Sequence, residues 1–157
     1  MESFLSTVFT GPVLAALGAA LAIALPCMGS AKGVSLVAQA ASGLLAEDPN
    51  KFGKAFLLIA IPSSQAIYGF VTAFLIFFLK LPTVTGVADG AYFLMAALPI
   101  ALAGCASAIK QGRVAASGIA LVAKRPDQSG KALLNAAMVE TFAIFALLVS
   151  LLMVIMH

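Results

Sequence analysis

Glu140 is the only acidic residue inside a long apolar run of this sequence, the segment Leu133-Leu134-Asn135-Ala136-Ala137-Met138-Val139-Glu140-Thr141-Phe142-Ala143-Ile144-Phe145. The other acids, Glu2, Glu47, Asp48, Asp89 and Asp127, fall at an end or in candidate loops. A carboxylate in hydrocarbon is costly, and such residues commonly mark an ion or substrate pathway. The plainer alternative is a structural glutamate bonded to a neighbouring helix. Other polar groups are spaced to meet it. Ile61, Ser64, Gln65 and Tyr68 follow an i, i+3, i+4, i+7 pattern and so share one helix face. Pro62 lacks an N–H and leaves the Leu58 carbonyl without its helical donor. Gln111 sits in a separate apolar segment. Counted inward from the nearest turns, Gln65, Gln111 and Glu140 are each about three to four helical turns deep.

These groups offer one carboxylate, two amide carbonyls, a hydroxyl and a backbone carbonyl. All are oxygens, the donor set of a hard cation. A proton alone needs only the carboxyl in an apolar pocket. Two glutamines and a serine go beyond that and lean towards a sodium-sized ion, with Tyr68 as a hydrogen-bond partner of Glu140. The same amides serve equally well as glue between helices, and the residues alone do not choose between cage and glue. Lys110 and Arg113 are read as reaching the headgroup level or a ring interior. A permanent Lys110–Glu140 pair would compete with a transported cation.

The elements that hold these residues are membrane spans. Of the 157 residues, 62% are hydrophobic and only 10% charged, against about 25% charged in a soluble domain. Mean hydropathy is +1.11. The length fits about four spans of roughly 20 or more residues, with no room for a soluble catalytic domain or an ATP site. The expected spans are about 11–46, 52–79, 91–123 and 130–156, joined by Glu47-Asp48-Pro49-Asn50, a polar loop over Thr83–Gly90, and Lys124-Arg125-Pro126-Asp127. Pro26 is a candidate kink in the first span. The segment Met1–Thr10 has no basic residue ahead of its apolar stretch and reads as the start of a retained span. Cys27 and Cys105 read as buried inert thiols, and His157 as a solvated end.

The net charge of +3 is read by its placement, not as affinity for nucleic acid. Lys51 and Lys54 flank the first connection, and Lys124, Arg125 and Lys131 the third; Lys80 alone marks the second. Basic residues in short loops stay on the cytoplasmic side. The 1–2 and 3–4 connections are therefore expected in the cytoplasm and both termini outside.

A shift of 77 residues aligns the two halves without gaps. Ser30-Ala31 falls on Ser107-Ala108, Pro49 on Pro126, and Gly53-Lys54-Ala55 on Gly130-Lys131-Ala132. Each half, 1–80 and 81–157, is one helical hairpin. A hairpin crosses twice, so the repeat is parallel, unlike the inverted repeats of many transporters. In this register Glu140 falls on Ser63.

Small residues recur every fourth position along one face of the third span, at Gly104, Ala108, Gly112, Ala116 and Ala120, with shorter versions in the first. Small residues let membrane helices approach closely. The second and fourth spans are bulky, with Phe70 to Phe78 and Phe142 to Leu152. Slim first and third spans fit an inner circle and bulky ones the lipid side. A monomeric four-helix bundle uses the same features, but a ring of copies uses them better, since an inner circle has the smaller circumference.

The doubled hairpin, the single glutamate of the fourth span and the stretch Ile61-Pro62-Ser63-Ser64-Gln65-Ala66-Ile67-Tyr68-Gly69-Phe70 resemble the K subunit, or 16-kDa proteolipid, of bacterial V-type ATPases. Gly29-Ser30-Ala31-Lys32-Gly33, Lys110 to Ile119 and Ala136 to Thr141 carry the likeness along the whole chain, closest to sodium-pumping members. The resemblance implies an all-α membrane protein of four helices assembled into a homo-oligomeric rotor ring. It implies a non-catalytic transport subunit that carries Na+, with H+ as the alternative cargo. The ligands it implies are Glu140, Gln65, Gln111, Ser64 and the carbonyl of Ile61, with Tyr68 holding the glutamate closed. The partners it implies are further copies of the chain, a stator subunit bearing an arginine, a central-stalk subunit at the cytoplasmic loops, and lipid. Two positions depart from the pattern: Ser64 replaces an expected threonine, and Lys110 an expected small residue.

Overall fold

The computed structural model describes residues 9–157. The reading of residues 1–8 as the start of the first span lies outside them. The described residues form four helical spans long and apolar enough to cross a membrane. Helix α1 is Gly11–Glu47. The second span is composite: α2 (Phe52–Ala60), a 3-10 turn at Ile61–Ser63, α3 (Ser64–Leu75) and a π-helical turn at Ile76–Lys80. Helix α4 is Val87–Lys124 and α5 is Ser129–Met156. At 37 and 38 residues, α1 and α4 reach roughly 55 Å, well beyond a hydrocarbon core of about 30 Å.

The third span begins four residues before the expected Ala91. Gly86 is extended and serves as N-cap, and the Gly90 N–H closes on its carbonyl at 3.2 Å. Asp89 stands in the first turn, where a carboxylate complements the positive end of the helix. These residues look like a polar loop only while the cap goes unrecognised. The second span also differs from a plain helix. Pro62 tightens the chain into a 3-10 turn, because proline supplies no N–H to the ladder. By contrast α1 continues unbroken through Pro26.

Helices α1 and α4 run parallel, in contact along their length. A Cβ at Gly29 would lie 2.5 Å from the Cys105 carbonyl oxygen, so the two backbones touch where only glycine fits. Gly18 meets Leu94, Gly33 meets Ala108, and Gly112 meets Gly33 in the same way. Close van der Waals approach of this kind is what drives helices together in lipid. The second span and α5 cover this pair. Their large side chains point away from it: Phe70, Phe74, Phe77 and Phe78 are exposed, as are Phe142, Phe145, Leu148 and Leu152.

At one end the connections are tied together. Lys51 Nζ donates to the Ala123 carbonyl at 3.0 Å and Lys54 Nζ to the Pro126 carbonyl at 2.9 Å. Ala123 belongs to the last turn of α4, whose carbonyls lack helical donors and attract cations. At the other end His157 is not simply solvated. Its ring stacks on Tyr92 with centroids 4.2 Å apart, and Nε2 lies 3.6 Å from Asp89 Oδ1.

Candidate ion-binding site

The site is built on the tightened segment of the second span. The Ser64 hydroxyl donates to the Ile61 carbonyl at 3.1 Å and approaches Gln65 Oε1 at 3.3 Å. From α1, buried Ser30 reaches this segment and accepts the Ala66 N–H at 3.2 Å. Ser30 thus partners a backbone N–H in the first turn of α3 across the helix contact. Gln65 then points inward and is fully buried.

Gln65 Nε2 donates to Gln111 Oε1 at 2.8 Å and to Ser107 Oγ at 3.4 Å. Gln111, equally buried, donates through Nε2 to the Ala136 carbonyl at 3.1 Å and to Glu140 Oε2 at 3.3 Å. The second carboxylate oxygen, Oε1, accepts the Tyr68 hydroxyl at 2.5 Å. Glu140 on α5 is thus gripped from the second span and from α4, and itself remains half-buried. Ser107 completes the network by donating to the Val139 carbonyl at 2.9 Å. Among the described residues, no buried side-chain nitrogen or oxygen lacks a partner. A connected and fully satisfied network is the condition under which buried polar groups order a core rather than weaken it.

The structure thus brings Gln65, Gln111, Glu140 and Tyr68 into direct contact. Ile61 and Ser64 join through Gln65, one step further from the carboxylate. Lys110 stays outside: it is exposed, and the partners of Glu140 are Tyr68 and Gln111. Ser107 is the member that the spacing of polar residues missed. It lies among alanines and glycines and reads as packing. Its signal was the repeat, which pairs it with Ser30, the other buried serine that serves the second span.

The repeat also explains why the carboxyl stands alone. The counterpart of Glu140 is Ser63, which is exposed and donates its hydroxyl to the Ala60 carbonyl of its own helix at 2.6 Å. The counterparts of Gln65, Gln111 and Tyr68 are Phe142, Val34 and Phe145. Each of these three polar residues has an apolar counterpart in the other register, while Ser64 and the Ile61 carbonyl keep theirs in Thr141, whose hydroxyl donates to the Met138 carbonyl at 2.8 Å.

Chemically the site is one carboxylate with amide, hydroxyl and carbonyl oxygens close by. Among the described residues no three His, Cys, Asp or Glu side chains come together. The oxygens suit a hard cation better than a soft transition metal.

The family of ATP synthase C subunits matches this chain twice, over residues 17–76 and again over 94–153. The two matches are displaced by the repeat length. The chain is similar to the V-type sodium ATPase subunit K of Enterococcus hirae, with 45% identity over 155 residues and 99% of both chains covered. It is also similar to the A-type ATP synthase subunit K of Methanocaldococcus jannaschii, 39% identical over 143 residues, covering 91% of this chain and 62% of that one.

Proposed function

The chain belongs to the family of ATP synthase C subunits and is an ion-binding component of the membrane rotor ring of a rotary ATPase; from that footing we propose that Glu140 carries a sodium ion. The observation that supports this most is the grip on its carboxylate: Tyr68 on one oxygen, Gln111 on the other, with Gln65 directly behind. A proton carrier needs no buried glutamine pair beside its carboxyl. A glutamine presents a donor and an acceptor at the same end, so rotation about its last bond exchanges Nε2 for Oε1. Turned in this way, Gln111 and Gln65 offer carbonyl oxygens to a cation held by Glu140. Ser64 and the Ile61 carbonyl supply the remaining oxygens, and Tyr68 keeps the carboxylate folded inward. The similarity to a protein named for a sodium ATPase points to the same cargo.

In this reading each copy loads an ion at one access path and releases it at another as the ring turns. A cationic group on a stator subunit opposes the ion at Glu140, and the cytoplasmic connections 1–2 and 3–4 meet the central stalk. The two hairpins, 1–80 and 81–157, form one carrier unit, and the chain acts in transport while ATP is hydrolysed elsewhere in the assembly.

The test pairs carbodiimide labelling of Glu140 with ATP-driven uptake into vesicles. Sodium is expected to protect the carboxyl and to stimulate turnover. Glu140→Gln is expected to abolish transport while the ring stays assembled. Protection and turnover that ignore sodium would assign the site to protons instead, and transport preserved in Glu140→Gln would remove Glu140 from the mechanism.

A further inference from the structure

Within one copy, α1 meets α4 through Gly29 against Cys105 and through Gly33 against Ala108 and Pro62. The 77-residue repeat carries this interface to the next one around a ring, where α4 of one copy faces α1 of the next. Gly33 becomes Lys110, Pro62 becomes Val139, and the Ala108–Gly112 step becomes Ala31–Ser35. Gly29 and Cys105 become Ala106 and Met28. The single copy agrees with this translation. Met28, Ala31, Ser35, Ala106 and Lys110 are all exposed, awaiting partners. Lys110 and Val139 line one groove between α4 and α5, as Gly33 and Pro62 pack together inside the copy. The same shift turns the Lys54–Pro126 carbonyl bond into a pairing of Lys131 with Pro49, both exposed.

Gly29, Gly33 and Gly112 all give way to residues with side chains, and Lys110 adds by far the largest. Inside the copy a glycine stands where a Cβ would run 2.9 Å from Pro62; between copies that place holds a lysine. The joint must be wider there by a side chain, and an ammonium in a membrane groove requires oxygen partners. The next copy offers them on the facing side of its α1. Gln39 Nε2 donates to Ser35 Oγ at 2.9 Å, which fixes both side chains one turn apart on an exposed face. The Gln39 carbonyl oxygen and the second lone pair of Ser35 remain able to accept.

We propose that Lys110 of one copy donates to Ser35 and Gln39 of the next, bolting each joint of the ring. The proposal rests on the rotor-ring reading. Two measurements test it. In a chain with Cys27→Ala and Cys105→Ala, the pair Lys110→Cys with Ser35→Cys is oxidised in the membrane. The pair Ala106→Cys with Met28→Cys serves as a register control. Both are expected to give a ladder of dimers, trimers and higher multimers under denaturing conditions. A ladder from the control pair alone, or from neither pair in an intact ring, overturns the proposal. A background chain that gives no ring mass at all overturns the ring reading itself.

The second measurement addresses the bond. Lys110→Met keeps the stem and removes the charge, and is expected to lower the temperature at which the detergent-extracted ring falls to monomers. Ser35→Ala with Gln39→Leu is expected to lower it similarly, and the combined variant little further. Additive losses overturn the proposal. So does a Lys110→Met effect that appears only in anionic lipid and vanishes in purely zwitterionic lipid, because the lysine would then be holding a headgroup.

Discussion

Tyr68 and Glu140, on different spans, meet through the phenol hydroxyl and carboxylate Oε1 at 2.5 Å. The phenol is a donor that holds the carboxylate without competing for its charge. Tyr68→Phe keeps the ring and removes only that bond. A hydrogen bond to a charged group contributes roughly 1.5–3 kcal/mol, which corresponds to about a tenfold to hundredfold loss of ion affinity. The expected outcome is faster carbodiimide labelling of Glu140 and a matching rise in the sodium concentration that protects it. Unchanged protection would mean that the bond is not made in the loaded state.

Gln111 is the hinge between two halves of the network, since it bonds Glu140, the Ala136 carbonyl and Gln65 together. Gln111→Leu keeps the bulk but removes the Gln65 amide's shorter bond, leaving it only Ser107 at 3.4 Å, at about 1–3 kcal/mol for a buried donor left poorly satisfied. Both sodium affinity and ring stability should fall. Gln111→Glu instead places a second carboxyl against the first, and like charges at a shared site drive one of the pair to hold a proton. Its transport should become strongly pH-dependent, measured as uptake against external pH.

Ser107 accepts from Gln65 and donates to the Val139 carbonyl, so it aligns the site without touching the carboxylate. Ser107→Ala should weaken sodium protection several-fold and leave the ring mass unchanged. Ser107→Thr, which restores the hydroxyl, should recover most of that loss if the added methyl is accommodated. The same labelling assay reads both variants.

The glycines separate into two classes by what surrounds them. Gly29→Ala would force a methyl into the Cys105 backbone, which cannot swing aside as a flexible side chain would. Overpacking of this kind typically costs about 1–3 kcal/mol, and it should appear as a lower melting temperature of the extracted ring. Gly53 has open space around it within α2. Gly53→Ala should therefore be neutral or stabilise the helix by roughly 0.5–1 kcal/mol.

The residues of the network were legible in the sequence because helical spacing puts Gln65 and Tyr68 on one face, and because Glu140 has no acidic company in hydrocarbon. What spacing could not give was the direction of each bond. An amide can donate or accept at the same place, so cage and glue look alike in the sequence; in the structure Gln65 and Gln111 turn their Nε2 donors to Gln111 Oε1 and Glu140 Oε2. Ser107 was hidden for a different reason: a small polar residue in a small-residue run is indistinguishable from a helix contact. The early start of α4 escaped because its cap is Gly86, which has no side chain to announce a helix end. Lys51 and Lys54 were readable as charges near a membrane surface. Their role in holding carbonyls at the end of α4 depends on contacts 72 residues away.

With Glu140 as the proposed carrier, Ser63 at its counterpart position sets the gear ratio of the ring. A ring of these chains delivers one ion per four spans in each revolution, where a ring of unduplicated hairpins with the same number of spans would deliver one per two. The chemical work of a full turn is fixed by the nucleotides hydrolysed, so halving the passengers doubles the free energy available to each. On that reading, one acid per duplicated hairpin suits a rotor to driving its cargo against a steep gradient rather than to throughput.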